Sequence, residues 1–589
     1  MRNKKHILIT ASTFVILGII LAVLYFGRNE NEAYDNEDSL ATNEPANRMN
    51  TTNTSNKQTI MNMHLLLDGF YFPESDTTQR STVRLHREWG VTYLFLPYWA
   101  QNSAIYVHFN NSDVFLDGSQ IASGEATQVF SLDRPVVLNI NGIASTVIPM
   151  FGSKIPTIFI TTESGSLDYI HEERGNRERV NFLFVDEFGY FHHAGGGDMN
   201  GRGNYSWLQP KRPYNFRLAS GTSLPLFGMG EGRHWTLLAE FLDDLRVRNT
   251  LSLNLARELG LAHTSQIRPV DVFINNEYAG IYTLVERRNI NHAVNITDLQ
   301  EATAAVNTAN LNTFPHAGIH EAIPGTIKYF DIPVNPSDIT GGYLMEIQLS
   351  HRYMREDSGF VTNRGMPINL AAPGIASRAQ VEYISSLFQQ AEDAIYSETG
   401  YNNEGVHFSE LIDVESFALM YIFSEFLMDV DTAVTSFFMH KESDLVGSGK
   451  IYAGPPWDYN FTLATLGPAL GTDFRNPFLW WANDRPIDHD FDKEPHILSA
   501  LYQHEFFREY VTRLWQDKAA PAIRVLIGFD ESTSSLRSID EYIAEVYASR
   551  YMERIIWPIP SGGRYSNQSI PLMHFARARF LFLEYHWGT

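Results

Sequence analysis

The 589-residue chain has no cysteine. Disulfides, thiolate-bound zinc, iron–sulfur clusters and thiol nucleophiles are therefore excluded. Its compartment is not, because a secreted protein can do without cysteine. Basic residues are scarce: 45 Lys and Arg stand against 68 Asp and Glu, a formal charge of −23. That balance argues against a general nucleic-acid binder, which grips phosphates with clustered Lys and Arg. A local basic pocket stays open. The chain lacks a G-x-x-x-x-G-K-[ST] loop, and Gly201-x-Gly203 does not complete G-x-G-x-x-G. No internal repeat is present. What is present is 44% hydrophobic and 13% aromatic residues, too many for a wholly disordered protein.

Four segments follow in order. Residues 1–28 begin with Arg2, Lys4 and Lys5 and continue with the uncharged stretch Ile7 to Phe26, 20 residues long. That length spans a hydrocarbon core as a helix. A cleaved signal peptide is the competing reading, but the apolar stretch is long and Leu24 to Gly27 has no A-x-A-like site. The segment reads as an anchor through residues 7–26, with its N-terminus cytoplasmic and the bulk of the chain extracytoplasmic. Residues 29–60 are rich in Asn, Thr, Glu and Asp, and read as a disordered, solvated stalk. In residues 61–153, Val91 to Leu96, Ala104 to Phe109 and Val136 to Ile140 alternate as short strands between Asn, Gly and Asp turns. A small all-β, sandwich-like module is expected there, serving presentation or spacing.

Residues 154–589 mix both periods. Strands are expected at Thr157 to Thr162 and Val180 to Val185. A hairpin is expected from Val270 to Val285 around Asn275 and Asn276, and another strand from Gly342 to Ile347. A helix is expected over Asp244 to Leu259, closed by Gly260, and an amphipathic helix around Val414 to Ile422. Strands first and helices later give an α+β class.

Several constellations could carry chemistry. Gly195 to Trp207 is glycine-rich and has Arg202 within it and Lys211, Arg212 and Arg217 behind it. Backbone amides there could cradle a phosphate, although a glycine-rich hairpin turn is the more common explanation of such a run. Asp429 and Asp431 follow the amphipathic helix, and Asp458 stands in Pro456 to Asn460. Two such carboxylates suit a base and a divalent-metal ligand for phosphoryl transfer, whereas each alone suits a turn or cap. Glu286 and Glu346 sit in apolar strands and need partners. Arg248 and Asn249 open a helix, as salt-bridge and cap residues or as ligand contacts. The acidic run Asp488 to His496, and His192 with His193, match no metal-binding spacing.

Taken in order, Ile155 to Thr162, Gly201 to Trp207, Pro210 to Leu218, Trp235 to Ala239, Arg248 with Asn249, Leu255 to Gly260, Asn276 to Glu286, Gly341 to Glu346, Asp431 and Pro456 to Asp458 resemble the CotH family of atypical, spore-coat-type protein kinases. The resemblance spans residues 155–589. It implies a divergent protein-kinase-like, two-lobed catalytic domain that binds ATP with Mg²⁺ or Mn²⁺ and phosphorylates Ser or Thr of coat or surface proteins. By position, it makes Asp431 the catalytic-loop acid and Asp458 the metal-binding acid, with Asn460 and Ser436 beside the metal. Gly201, Arg202, Gly203 and Asn204 become the nucleotide loop, and Lys211 to Arg217 the phosphate-contacting strand. Glu286 is the candidate ion-pair partner of that strand, and Arg248, Asn249 and Glu346 are pocket candidates.

Three positions depart from the family pattern. Thr435 and Ser436 stand where a second metal-binding Asn is common, Arg217 where Lys is common, and Asn460 where a second acid is common. Arg does not replace a phosphate-pairing Lys neutrally. A catalytically weak or inactive CotH-like scaffold is therefore the alternative function. A carbohydrate-active enzyme using two carboxylates and Trp207, Trp457, Trp480 and Trp481 is a third.

Overall fold

The computed structural model describes residues 70–71, 80–81 and, with short gaps, 83–588. The gaps include 465–475, 484–495 and 559–571. The expected anchor at 7–26, the stalk at 29–60 and most of the acidic run 488–496 lie outside the described residues. Among the described residues, no helix is long and apolar enough to cross a membrane.

Residues 61–589 form one compact unit, and the two segments expected at 61–153 and 154–589 both lie within it. The first carries a six-stranded sheet in the order 86–88, 91–96, 143–151, 136–140, 114–116, 119–121. A separate two-stranded ribbon pairs Ile105–Val107 with Glu125–Thr127. This sheet is tied to the following residues. The tilted rings of Phe95 and Tyr278 have centres 5.3 Å apart, Arg84 N donates to Asn276 O at 2.8 Å, and Ser153 N donates to Ser549 Oγ at 2.8 Å.

Beyond it lies a closed barrel of seven strands: β1 (Thr157–Thr162), β2 (Arg177–Val185), β3 (Phe191–Gly201), β4 (Tyr214–Leu218), β5 (His234–Leu238), β6 (Ile267–Ile274) and β7 (Glu277–Glu286). The order is β1-β2-β3-β4-β5-β7-β6, and parallel pairing of β1 with β6 closes it. Alternating residues, among them Phe182, Phe216, Trp235, Val272 and Leu284, fill the interior, so Asn215, Arg217 and Thr236 point outward. The glycines 195–197 sit inside β3 rather than in a turn. A side chain at Gly197 would stand 2.3 Å from Arg217 O and 2.8 Å from the Phe182 ring, so only glycine lets the strands close.

A second, seven-stranded antiparallel sheet follows: β8 (His316–Gly318), β9 (Ile327–Phe330), β10 (Tyr343–Ile347), β11 (Gly359–Val361), β12 (Pro367–Ala372), β13 (Phe437–Lys441) and β14 (Tyr452–Ala453). Its order is β8-β9-β11-β12-β10-β13-β14. It shares a core with α1 (Arg248–Glu258), α2 (Arg378–Ile395), α3 (Val414–Leu427) and the C-terminal helices. The expected helix over 244–259 starts only at Arg248, because the Asp243 carboxylate accepts from Val247 N at 2.7 Å and Arg248 N at 2.8 Å. α3, expected to be amphipathic, is buried on nearly every side. Asp413 caps its start, and Met428 ends it at φ +50°.

Candidate functional site

The end of α3 positions the first two carboxylates. Met428 in the left-handed conformation turns the chain out of the helix, so Asp429 and Asp431 follow at once, ahead of β13. Asp429 is 5% exposed, and Trp481 Nε1 donates to its carbonyl at 2.6 Å. Burial, reinforced by the negative charges of Asp431 and Asp458, raises its carboxyl well above the usual range. Its Oδ1 has no hydrogen-bond partner among the described residues. The third carboxylate arrives after β14. Asp458 is half-buried and sits at φ +71° between the buried Trp457 and Tyr459. The loops carrying these acids thus flank the β13–β14 pair.

The barrel supplies cations to the same place. Arg202 leaves the end of β3, and Arg287 and Arg288 leave the end of β7. The Arg288 guanidinium is sandwiched 3.6 Å from the centre of Phe438 and 4.3 Å from that of Trp457. Its Nε has no partner among the described residues. Arg202 lies over the same Trp457 ring at 5.6 Å. Across β10 and β13, Glu346 is in register with Phe438. Burial pushes the Glu346 carboxyl up to about 7, against the attraction of Arg288. Burial lowers Arg288 to about 9, while Glu346 and Asp458 raise it, so the guanidinium stays charged at neutral pH. Arg202 and Arg287 are lowered in the same way, first by burial. Arg202 and Arg288 thus both lie in the field of Asp458, and Arg288 also in that of Glu346, residue types that suit phosphate oxygens and a cation.

Arg248 and Asn249, expected as salt-bridge and cap residues or as ligand contacts, are both engaged within the protein. Arg248 pairs with Asp243 and donates from Nε to Thr462 O at 2.9 Å. Asn249 donates from Nδ2 to both oxygens of Glu240 at 3.1 Å and accepts from Tyr459 N at 2.7 Å. Both residues hold the loop that carries Asp458.

Other expected site residues lie apart from these carboxylates. Lys211 is fully buried and donates to Glu553 Oε2 at 2.6 Å in helix α4 (Tyr547–Ile556). Arg246 pairs with the other Glu553 oxygen at 2.7 Å. Lys211 is therefore not open to a phosphate. Arg217 points outward from β4 and pairs at 2.5 Å with Asp198, which also holds Arg177. Glu286 does not pair with that strand. It accepts from Gln266 N at 2.8 Å, because β7 registers it beside Trp235 rather than beside an outward base. Gly201 is covered by Trp207, whose ring would stand 2.3 Å from an added Cβ. Gly203 turns at φ +84°, and Arg174 donates to its carbonyl and to the exposed Asn204 Oδ1, each at 2.6 Å. Thr435 accepts from Arg352 at 3.0 Å and donates to Gln348 at 2.8 Å, and Ser436 is half-buried at φ +55°. Asn460 is half-buried in the Asp458 loop. Trp457 and Trp481 are buried rather than displayed as a stacking platform.

The model of the CotH kinase protein family matches residues 199–524, more than half of the chain. The chain belongs to the CotH family. No curated protein matches it. The matched span of this CotH domain includes Asp429, Asp431, Asp458 and the three arginines, but stops short of Glu553. Sequence reasoning missed Arg287, Arg288 and Glu240 as site residues and left Asp429 without a role. A paired Arg-Arg at a strand end in an acidic chain was the signal for the first two. Glu240 had none, since it is placed by the fold of α1 against the barrel.

Proposed function

We propose that this CotH-family protein is a divalent-metal-dependent protein kinase with two kinase-like lobes, the barrel and the second sheet with its helices. It is anchored through residues 7–26 and transfers the γ-phosphoryl group of ATP to Ser or Thr of an extracytoplasmic coat or surface protein. One observation carries this reading: the buried Asp429 oxygen without a partner among the described residues, beside Asp431 and Asp458, the last of which lies in the field of Arg202 and Arg288. Among the described residues no three Asp, Glu or His side chains form a metal-holding group by themselves. Mg²⁺ needs no such group, because it takes one or two carboxylates and completes its shell with phosphate oxygens and water. The residue types fit: Asp458 and Asp429 would hold the ion, with Asn460 and Ser436 as further candidate donors. A bound Mg²⁺ or Mn²⁺ supplies neutralisation of phosphate charge. Asp431 accepts the hydroxyl proton as the Ser or Thr oxygen bonds to phosphorus and the bond to the ADP oxygen breaks. Arg202 and Arg288 hold the phosphate oxygens, and the rings around Arg288 keep it from turning away.

The scaffold reading keeps one specific support. Lys211 and Arg217, two bases expected on the phosphates, are already engaged by Glu553 and Asp198. Thermal denaturation of the full-length chain in detergent separates the two readings. It is run with ATP, with and without Mg²⁺ or Mn²⁺, for wild type and Asp458→Asn. The kinase reading expects a metal-dependent stabilisation that the substitution removes. No shift at millimolar ATP with either metal leaves the scaffold.

A further inference from the structure

We infer that Asn249 is a positioning residue for phosphoryl transfer: it fixes the peptide plane between Asp458 and Tyr459 and thereby aims the Asp458 carboxylate. The inference rests on the kinase reading above and deepens it.

Asp458 occupies the left-handed region at φ +71°, which non-glycine residues adopt only when their surroundings over-determine it. The Tyr459 N–H shares a plane with the Asp458 carbonyl. Its 2.7 Å bond to Asn249 Oδ1 therefore sets ψ of Asp458 directly. Asn249 cannot rotate out of this role, because its Nδ2 donates to both Glu240 oxygens at 3.1 Å. These two sets of partners also fix which end of the amide is oxygen. Glu240 is itself held: it is 7% exposed, sits at φ +52°, and carries a hydrogen bond to Thr283 of β7. The loop is tied beyond Tyr459 as well. Thr462 Oγ1 donates to Tyr459 O at 3.0 Å, Arg248 Nε donates to Thr462 O at 2.9 Å, and Leu463 N donates to Leu427 O at 2.8 Å. The last bond reaches the end of α3, from which Asp429 emerges. One buried amide at the start of α1 thus joins the barrel, the Asp458 loop and the helix that carries the other acids. At 3% exposure and with both polar ends engaged, Asn249 has nothing left to offer a nucleotide.

The test measures Mn²⁺ affinity by electron paramagnetic resonance on full-length protein with a non-hydrolysable ATP analogue. Hydrogen exchange of the peptide covering 456–463 is followed alongside. Asn249→Ala is expected to weaken Mn²⁺ binding by about 10–100-fold, the usual effect of losing an outer partner of a ligand, and to speed exchange in that peptide. The swapped pair Glu240→Gln with Asn249→Asp reverses the hydrogen bond between the two side chains yet leaves an oxygen for Tyr459 N–H. It is expected to restore most of the affinity. Ser549→Ala, which loosens packing elsewhere, is expected to leave the affinity unchanged, so lost stability alone does not mimic the result. Unchanged Mn²⁺ affinity and exchange in a folded Asn249→Ala protein overturn the inference. A wild-type protein that binds no Mn²⁺ with nucleotide overturns the kinase reading instead. The exchange comparison then still decides whether Asn249 holds the loop.

Discussion

Two charged regions of this chain use the same residue types to opposite ends. Around Glu553, every charge is closed off. One carboxylate takes Lys211 on one oxygen, Arg246 on the other, and the Ile281 N–H at 2.8 Å, all fully buried. Around Asp429, three acids crowd together while Arg202 and Arg288 rest on aromatic rings. A closed cluster holds a fold together. A cluster in which like charges crowd and one buried Asp429 oxygen has no hydrogen-bond partner among the described residues is, on the kinase reading, poised for a ligand.

The comparison can be broken from either side. The largest effect is expected at the closed cluster: Glu553→Ala leaves Lys211 and Arg246 buried without a counter-charge and should cost about 3–5 kcal/mol of stability in urea denaturation. A loss well below that would mean the cluster opens to water. Next comes Asp458→Asn, which should leave the ligand-free stability nearly unchanged. It should abolish the stabilisation by Mg²⁺ with ATP, worth about 2.7 kcal/mol at roughly 100 times the dissociation constant. A large loss in the ligand-free protein would put Asp458 in the closed class.

Acidity sharpens the contrast. Burial raises the Glu240 and Glu346 carboxyls from 4.5 to about 7. The folded protein therefore holds their protons longer than the unfolded chain does. Their contribution to stability is complete below pH 4.5 and is lost as pH rises through about 7, by roughly 1–3 kcal/mol in total once relaxation is allowed for. Glu346→Gln should flatten this part of a stability profile taken between pH 4.5 and 8. An unchanged profile would mean that Glu346 is solvated. The smallest effect is expected at the half-exposed Asp198, Arg177 and Arg217 set, where Asp198→Asn should change stability by no more than about 1 kcal/mol. If that substitution tightens ATP binding, Arg217 is a phosphate ligand held back by Asp198.

Much of the fold was legible because short-range patterning marks it. The strands Val91–Leu96, Val136–Ile140 and Thr157–Thr162 have the expected bounds, and the Asn275–Asn276 turn joins β6 to β7 as expected. The grouping of the acids was legible where they follow an element end, as at Asp429, Asp431 and Asp458. It was not legible where a partner is remote. Lys211 reads as a phosphate-facing base until Glu553, 342 residues away, is seen to take it. Asn249 reads as a helix cap or pocket residue until Tyr459, 210 residues on, is seen to donate to it. Glycines 195–197 read as a turn until the closure of the barrel shows that β3 and β4 approach too closely for a side chain.

By itself, then, the amino-acid sequence determined the α+β class, the family and the order in which the acids appear, because hydrophobic period, turn chemistry and motif order are local properties of a chain. Only the tertiary structure decided which charges are locked in buried pairs and which gather around Asp429. Pairing and desolvation depend on which distant side chains share one low-dielectric space, and no local pattern records that.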